Sequence, residues 1–539
     1  MPLRVQKENK VVTCIAIFGL LVVYMLLCFD DDLSKVGDQM FLYNRAVQIK
    51  DCLANGVWPF LYYEDAGGIG YGTPIFYGHL TLFPFIFFLD DIAVFVKLYY
   101  LACLLLNFFG FRCFIKRISE NATLTACFYI FSMAFLGIYH GNLPANAMAV
   151  GWSWFFFAAC IDYFRDGHGF AFFILTYFMI WQSNFNATAI ATLVCFGIFC
   201  VYFRLDQILG YVRLAVATAL TMGFNIVNMF VHRDAIALQD AESMLSVLNP
   251  ESDARVTSLW PLGGYIARSS NDILDGCIGF MTVALFVLFV YSIVRGIGKE
   301  SRRFKICSAV IGVAVVVGHI LGTYGIWSAV YKATQLFFQF PIRYYVILFG
   351  FALAVFSRVV KSNWVVYAIC IWCILDIFIV NPFRSEVTDL YYYVSAQMSN
   401  GEYASSDFIM DYEIYSDYKD NVHSLSGAEY PHTHEYNLIT VDCSNNVSGD
   451  VLTLPKLYYY GYEAVGAGGE LYPVSAGYSN YCQVDIGDYQ GVLTLQYRLP
   501  LVVRCFLVMQ IVFVVSWCEY YIKELIERRR GRLETAEGN

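Results

Sequence analysis

About twelve stretches of this chain are apolar over lengths close to the roughly 20 residues that a helix needs to cross a bilayer. They are 11–29, 92–114, 121–138, 147–164, 170–182, 184–203, 213–231, 278–296, 306–323, 343–360, 364–381 and 500–522, with 170–182 the shortest. Of the 539 residues, 58% are hydrophobic and only 15% charged, against about 25% charged in soluble domains. A soluble fold has nowhere to hide that much apolar surface, whereas a bilayer does. The sequence therefore predicts a mainly α, polytopic transmembrane bundle over 1–381, closed by a last span and a basic tail over 500–539.

Lysine and arginine set the expected direction of the spans. Arg4, Lys7 and Lys10 precede the first, and Arg112, Lys116 and Arg117 follow the second. Basic groups recur at Arg165, Arg204, Arg213, Arg295–Lys305, Arg358, Lys361 and Arg528–Arg532. Every second connection is basic, which places both termini in the cytoplasm of a plasma-membrane protein. That parity also settles 75–89, an apolar run containing Pro84. As a span it would invert every later loop, so it is expected as a helix lying in the outer interface. The first run is too long, and too quickly followed by acids, for a cleaved signal. The net charge of −9 gives no electrostatic footprint for nucleic acid.

Three segments are then exported: 30–91, 232–277 and 382–499. The last has 16 acidic residues against 4 Lys or Arg, and its second half alternates as strands do between Gly-rich turns. A small β-sandwich is expected there. Cys443 and Cys482 are its cysteines, open to a disulfide on an oxidising face or to service as two unpaired small residues. The other cysteines sit mostly in apolar runs, as small hydrophobes do. Asn446-Val447-Ser448 is a glycosylation sequon on the exported side, and Asn121-Ala122-Thr123 one on the cytoplasmic side.

The first exported segment carries the candidate chemistry. Asp30–Asp32 leave the membrane at once, and residues 38–55 have helical spacing that puts Asp38, Leu42 and Arg45 on one face. Gly56 ends that helix, and Glu64 with Asp65 precedes a Gly-rich turn. A carboxylate just outside the membrane can take the proton from an attacking hydroxyl. It can also help hold a divalent metal that neutralises a leaving phosphate. The plain alternative is that these acids end a span in water. Gln339-Phe340-Pro341-Ile342-Arg343 lies at the outer mouth of a span, where an arginine can hold a lipid phosphate or simply snorkel to headgroups. His79 could orient a phosphate or be an interfacial histidine without a role. Residues 67–72 have no preceding strand and make no nucleotide loop. His232-Arg233-Asp234 lacks every other kinase element. His432 and His434 are expected in a solvated loop, and Tyr391–Tyr393 and Tyr458–Tyr460 in sheet packing or interface anchoring.

Four ordered motifs carry a resemblance. They are Gly37-Asp38-x-x-Phe41-x-x-x-Arg45; Asn55-Gly56-x-x-Pro59 leading to Gly70-Tyr71-Gly72 and Phe76-Tyr77; Gln339-Phe340-Pro341-x-Arg343; and Leu454-Pro455-Lys456-x-Tyr458-Tyr459-x-Gly461-Tyr462, followed by Gln496-Tyr497. Together they resemble the YfhO-like bacterial membrane proteins, some labelled 6-pyruvoyl-tetrahydropterin synthase-related, of the GT-C glycosyltransferase class. The resemblance implies an inverting transferase that takes a sugar from a polyprenyl-phosphate donor to an envelope glycan or teichoic-acid-like acceptor on the outer face. It implies Asp38 as the catalytic carboxylate and Arg343 as a phosphate contact. Arg45, Glu64, Asp65, His79 and Gln339 are the further candidate substrate contacts, with no cofactor required beyond a possible divalent metal. Where other members carry Ser-His after the fifth span, this chain has Ser183-Asn184. The competing expectations are a flippase for lipid-linked glycans and a non-catalytic envelope-assembly protein. Against the flippase stand the lack of an internal repeat and the rarity of charge within spans.

Overall fold

The computed structural model describes residues 37–63, 69–76, 78–119, 144–233, 301–321, 342–359 and 417–537, apart from 447–448, with a few more in 14–25 and 122–130. It is mostly helical, with a C-terminal β-sheet region. The helices are α1 (Gly37–Ala54), α2 (Ile92–Ile115), α3 (Pro144–Asp166), α4 (Phe170–Trp181), α5 (Phe185–Tyr202), α6 (Ile208–Thr221), α7 (Gly223–Val231), α8 (Arg302–Leu321), α9 (Ile342–Val359) and α10 (Leu501–Glu537).

Among the described residues, Ile92–Ile115, Asn146–Asp166 and Leu501–Glu527 are long and apolar enough to cross a membrane. Leu205–Thr221 and Gly223–Val231 pass the same test as a pair bent by 55°. The expected span 213–231 falls within this bent pair. Shorter apolar helices at Phe170–Trp181, Ala187–Tyr202, Phe304–Ala314 and Val346–Val359 fall where spans are expected. The expected spans 11–29, 121–138, 278–296 and 364–381 lie wholly or largely outside the described residues.

Local chemistry starts these helices. Asp91 caps α2, its Oδ1 accepting from the backbone N–H of Ala93 (2.8 Å) and Val94 (3.3 Å). Asn184 caps α5 in the same way, accepting from the Ala187 N–H at 3.0 Å. Aromatic rings of α2, α3 and α9 then fill the bundle centre. Trp154 lies 4.7 Å from Phe111, 5.1 Å from Phe114 and 5.6 Å from Phe351, and its indole N–H donates to the Tyr129 hydroxyl. At one end of the bundle Arg117 donates to Asp162 (Nε to Oδ1, 3.0 Å) and Arg358 to the Ile118 carbonyl. The C-terminal ends of α2, α3 and α9 therefore meet there, and that end is basic.

The other end carries the β-sheet region. One antiparallel sheet has the order β1 (His423–Ser424), β4 (Asp450–Leu457), β8 (Tyr481–Gly487), β7 (Val474–Ala476). The second runs β2 (His432–Glu435), β3 (Leu438–Asp442), β9 (Val492–Tyr497), β5 (Tyr462–Gly466), β6 (Leu471–Tyr472). Alternate residues of both sheets, among them Ile439, Val441, Leu452, Leu454, Val484, Leu493 and Leu495, enclose one core. β4 to β9 follow the alternation seen in the sequence. β1 to β3 lie before the stretch whose alternation predicts strands, and β1 and β2, of two and four residues, leave too little alternation to detect. His432 and His434 accordingly lie on edge strand β2 rather than in a loop.

Two further expectations resolve here. Cys443 and Cys482 are both buried and unbridged. Asn446 is buried too, its Nδ2 donating to the carbonyls of Gly487 (2.9 Å) and Tyr489 (2.8 Å). The sequon's Asn446 is thus built into the domain, and its amide nitrogen is already engaged.

The β-sheet region is not a free appendage. Its core continues through Leu499 and Val503 into α10, and through Cys52, Leu61, Tyr63, Ile69, Tyr71 and Ile75 into the first long connection. α1 joins the two cores. Leu42, Ala46 and Ile49, at i, i+4 and i+7, face the helical bundle, while Cys52 belongs to the sandwich core.

The bent span is braced from α10. Gln510 Nε2 donates to the Thr221 carbonyl and to Asn225 Oδ1, both at 2.7 Å. Trp517 donates to the Thr221 hydroxyl at 3.0 Å. Of these, the bond from Gln510 satisfies a backbone carbonyl beside the break, and the other two tie side chains of α6 and α7 to α10. Gly223 sits at the break because any Cβ there would come within 2.6 Å of Phe506. At the far end of α7, His232 Nε2 reaches the Tyr460 carbonyl (2.9 Å) and the Tyr497 hydroxyl (3.2 Å) of the sandwich.

Candidate functional site

The predicted helix over 38–55 is α1, and Gly56, with φ +69°, ends it. Asp38 lies in its first turn, two turns or about 10 Å along the axis from Arg45. Arg343 lies in the first turn of α9. Glu64, Asp65 and Gln339 lie outside the described residues.

The structure brings Arg45 and His79 together. Arg45 is 3% exposed, and its Nη2 donates to the Gly78 carbonyl at 2.8 Å. The guanidinium also lies over the Phe41 ring, 5.4 Å from its centre. His79, the next residue after that carbonyl, is 8% exposed. Burial, followed by the nearby Arg45 charge, pushes its imidazole down to about 3. His79 is therefore neutral at physiological pH, and its Nδ1 has no hydrogen-bond partner among the described residues. A buried, unpaired ring nitrogen costs free energy. A fixed cation beside a neutral imidazole suits an anionic or polyhydroxylated ligand, with the ring donating or accepting according to its tautomer.

Why the chain folds this way locally is legible in its contacts. Gly78 packs on Gln182, and a Cβ at that position would meet Gln182 Oε1 at 2.3 Å and its Cα at 2.4 Å. Thr81 Oγ1 donates to the Gln182 carbonyl at 3.2 Å. The connection is thereby seated on the end of α4, and His79 is turned toward α1. Residues 75–89 do not form the single interfacial helix expected. They comprise the end of one helical turn (Thr73–Phe76), irregular chain, and a 3-10 helix at Phe83–Phe88 begun by Pro84. Phe87 and Phe88 are exposed while Phe85 and Ile86 are buried.

Trp58 was missed by the sequence reading. Its ring lies 6.0 Å from the His79 ring, edge-on, and stacks on Phe83 at 5.7 Å. Trp58 and Phe83 flank the imidazole, and Trp58 is itself exposed. The Asn55-Gly56-x-x-Pro59 turn around it was the available signal. Lys456 and Tyr459 were noted only as parts of a motif. Lys456 is fully buried and donates to the carbonyls of Tyr63 (3.1 Å) and Tyr436 (3.0 Å). The Tyr459 hydroxyl accepts from the Gly72 N–H at 2.8 Å.

Other candidates acquire structural roles. Ser183 and Asn184 bond to their own helical neighbours, Ser183 Oγ to the Met179 carbonyl and Asn184 as the α5 cap. His434 is pushed down to about 4 by burial and then by the Lys456 charge. Among the described residues, no three His, Cys, Asp or Glu side chains gather as a metal would require. No protein-family model matches the chain, and neither does any curated protein or solved structure.

Proposed function

We propose that the protein is a membrane glycosyltransferase of the GT-C type, moving a sugar from a polyprenyl-phosphate donor to an envelope glycan on the outer face. The observation that carries this reading is the Arg45–His79 pair: a buried cation beside a buried neutral imidazole whose Nδ1 has no partner among the described residues, flanked by the Trp58 and Phe83 rings. That combination suits an amphiphile with an anionic head, because the Trp58 and Phe83 rings can carry apolar chain and Arg45 the charge. The sandwich-bearing end is the outer face in this reading, and the basic end of the bundle is cytoplasmic.

In the reaction the acceptor hydroxyl oxygen attacks the anomeric carbon as the bond from that carbon to the phosphate oxygen breaks. Asp38 takes the hydroxyl proton. The electron pair of the broken bond leaves on polyprenyl phosphate, whose charge Arg45 and Arg343 offset. His79 fixes the donor's orientation by one hydrogen bond. Twelve spans and a lipid-linked donor belong to this proposal and rest on the motif order and the charge parity.

The bent α6–α7 pair gives a flippase reading its one specific support, since discontinuous helices often line transport sites. Here the break is filled by Gln510 and Trp517. One experiment separates the two. Purified protein in liposomes is given a radiolabelled polyprenyl-phosphate sugar and candidate acceptors, and wild type is compared with Asp38→Ala. Transfer by wild type that falls at least about 10²-fold in the variant supports the proposal. Transfer unchanged by Asp38→Ala would remove Asp38 from the mechanism. Leaflet-to-leaflet movement without transfer would replace the enzyme by the flippase.

A further inference from the structure

Adjacent residues of one strand hold both limbs of the first connection. Lys456 Nζ donates to the Tyr63 carbonyl on the outgoing limb, and the Leu457 N–H donates to the Ile69 carbonyl on the returning limb at 2.9 Å. Tyr62 and Tyr71 close the limbs against each other by reciprocal N–H to carbonyl bonds of 3.1 and 3.0 Å. Tyr63 immediately precedes Glu64 and Asp65.

The same ammonium reaches α1 through Tyr436. This residue sits at the β2–β3 turn with φ +52°, a conformation that costs a non-glycine residue about 1 kcal/mol or more. Its carbonyl accepts from Lys456, and its hydroxyl donates to Cys52 Sγ on α1 at 3.1 Å. The Tyr63 and Tyr436 rings pack 5.5 Å apart. One buried charge thus ties three segments together: β4, the stem of the first connection, and the helix that carries Asp38 and Arg45.

A methionine would fill this volume without desolvating a charge, and burying an ammonium is costly unless its hydrogen bonds are well made. Packing alone therefore does not account for a lysine here. Geometry does, because an ammonium can bind two carbonyls in divergent directions and an apolar chain can bind none.

We propose that Lys456 is a positioning residue, through which the sandwich holds the first connection and α1 in register for the reaction at Asp38 and Arg45. The kinetic part of this inference rests on the glycosyl-transfer reading; the mechanical part does not. The sandwich is then a component of the site's scaffold rather than a separate presenting module.

The test compares full-length wild type, Lys456→Met and Lys456→Arg in nanodiscs, by amide hydrogen exchange and by transfer kinetics. In Lys456→Met, amides of 57–63 and 69–76 are expected to exchange about tenfold faster or more, the loss of one charge-assisted contact. Those of β3, β8 and β9 should hold their wild-type rates. Lys456→Arg restores most of the protection. With a transferable donor, Lys456→Met lowers kcat at least about tenfold while the donor KM moves less than about threefold, and Lys456→Arg recovers part of kcat. Unchanged exchange over 57–76 overturns the proposal, and so does equal loosening of the sandwich strands, which would mark Lys456 as a general stability residue. Loosened exchange with unaltered kcat would also overturn it. If no donor is turned over even by wild type, the glycosyl-transfer reading fails and the exchange result alone decides the mechanical inference.

Discussion

Asp450 and His79 are comparably buried, at 2% and 8% exposure, yet their surroundings differ in kind. Asp450 accepts from the hydroxyls of Ser424 (2.6 Å), Tyr430 (2.6 Å) and Ser426 (2.7 Å), and from the backbone N–H of Ser426 (3.1 Å) and Val451 (2.8 Å). Five donors saturate one carboxylate. His79 Nδ1 has no partner among the described residues. Both groups are expensive to bury, but only the first is compensated by the residues described. A saturated buried group is architecture, and this one pins β1 and the turn after it to β4. An unsaturated one, in the glycosyl-transfer reading, is where the donor bonds.

Breaking the saturated centre should have the largest effect. Asp450→Ala leaves several buried donors without an acceptor and is expected to cost about 3 kcal/mol or more, read as a drop in the sandwich's thermal midpoint. A loss under about 1 kcal/mol would show the cluster to be incidental. Burial alone would raise this carboxyl, but the hydroxyl and N–H donors outweigh it and hold it well below the usual range. Its folded-state pKa thus lies below that of the unfolded chain. The stability it contributes is complete above the ordinary carboxylate range and is lost as pH falls through the depressed value. In Asp450→Asn that acid-dependent part of the unfolding profile should vanish.

His79 should respond in the opposite pattern. His79→Phe keeps the ring and its packing on Trp58 and Phe83 while removing the orphan nitrogen. Stability is expected to change by less than about 1 kcal/mol, whereas sugar transfer falls by about 10²-fold. An active His79→Phe would mean the unpaired nitrogen meets no ligand. The pH sign follows from its value of about 3. Between about pH 6.5, its ordinary value, and 3, the unfolded chain takes up a proton that the folded site refuses. Stability therefore declines as pH falls through that window, and His79→Phe should flatten the decline.

Apolar run length was enough to forecast the spans at 92–114, 147–164 and 500–522, which have their counterparts in Ile92–Ile115, Asn146–Asp166 and Leu501–Glu527. Helical period and Gly56 together placed α1. The break at Thr221–Gly223 could not be read, because nothing in a hydropathy window reports that Gly223 makes room for Phe506 or that Gln510 covers a freed carbonyl. Lys456 was visible as a charge inside an apolar strand, but its partners Tyr63 and Tyr436 are 393 and 20 residues away. The pairing of Arg45 with His79 spans a turn whose geometry depends on Gln182. In each case the missing information is a long-range contact, which local pattern cannot carry.

The smallest expected effect belongs to the brace on the bent span. Gln510 is buried and bonds across helices, as Asp450 does across strands, but its setting is different. In lipid, the unfolded reference also finds partners for polar groups, so interhelical hydrogen bonds are worth on the order of 1 kcal/mol or less each. Gln510→Leu should therefore leave the protein folded, shifting its unfolding midpoint in detergent only slightly. The stronger signal should be geometric. With the Thr221 carbonyl and the Asn225 amide released, the 55° bend is expected to relax, and a spin-label pair across α6 and α7 would report a broader distance distribution. An unchanged, narrow distribution would mean that Gly223 packing on Phe506 alone fixes the bend, with Gln510 merely filling a space that the helices already define.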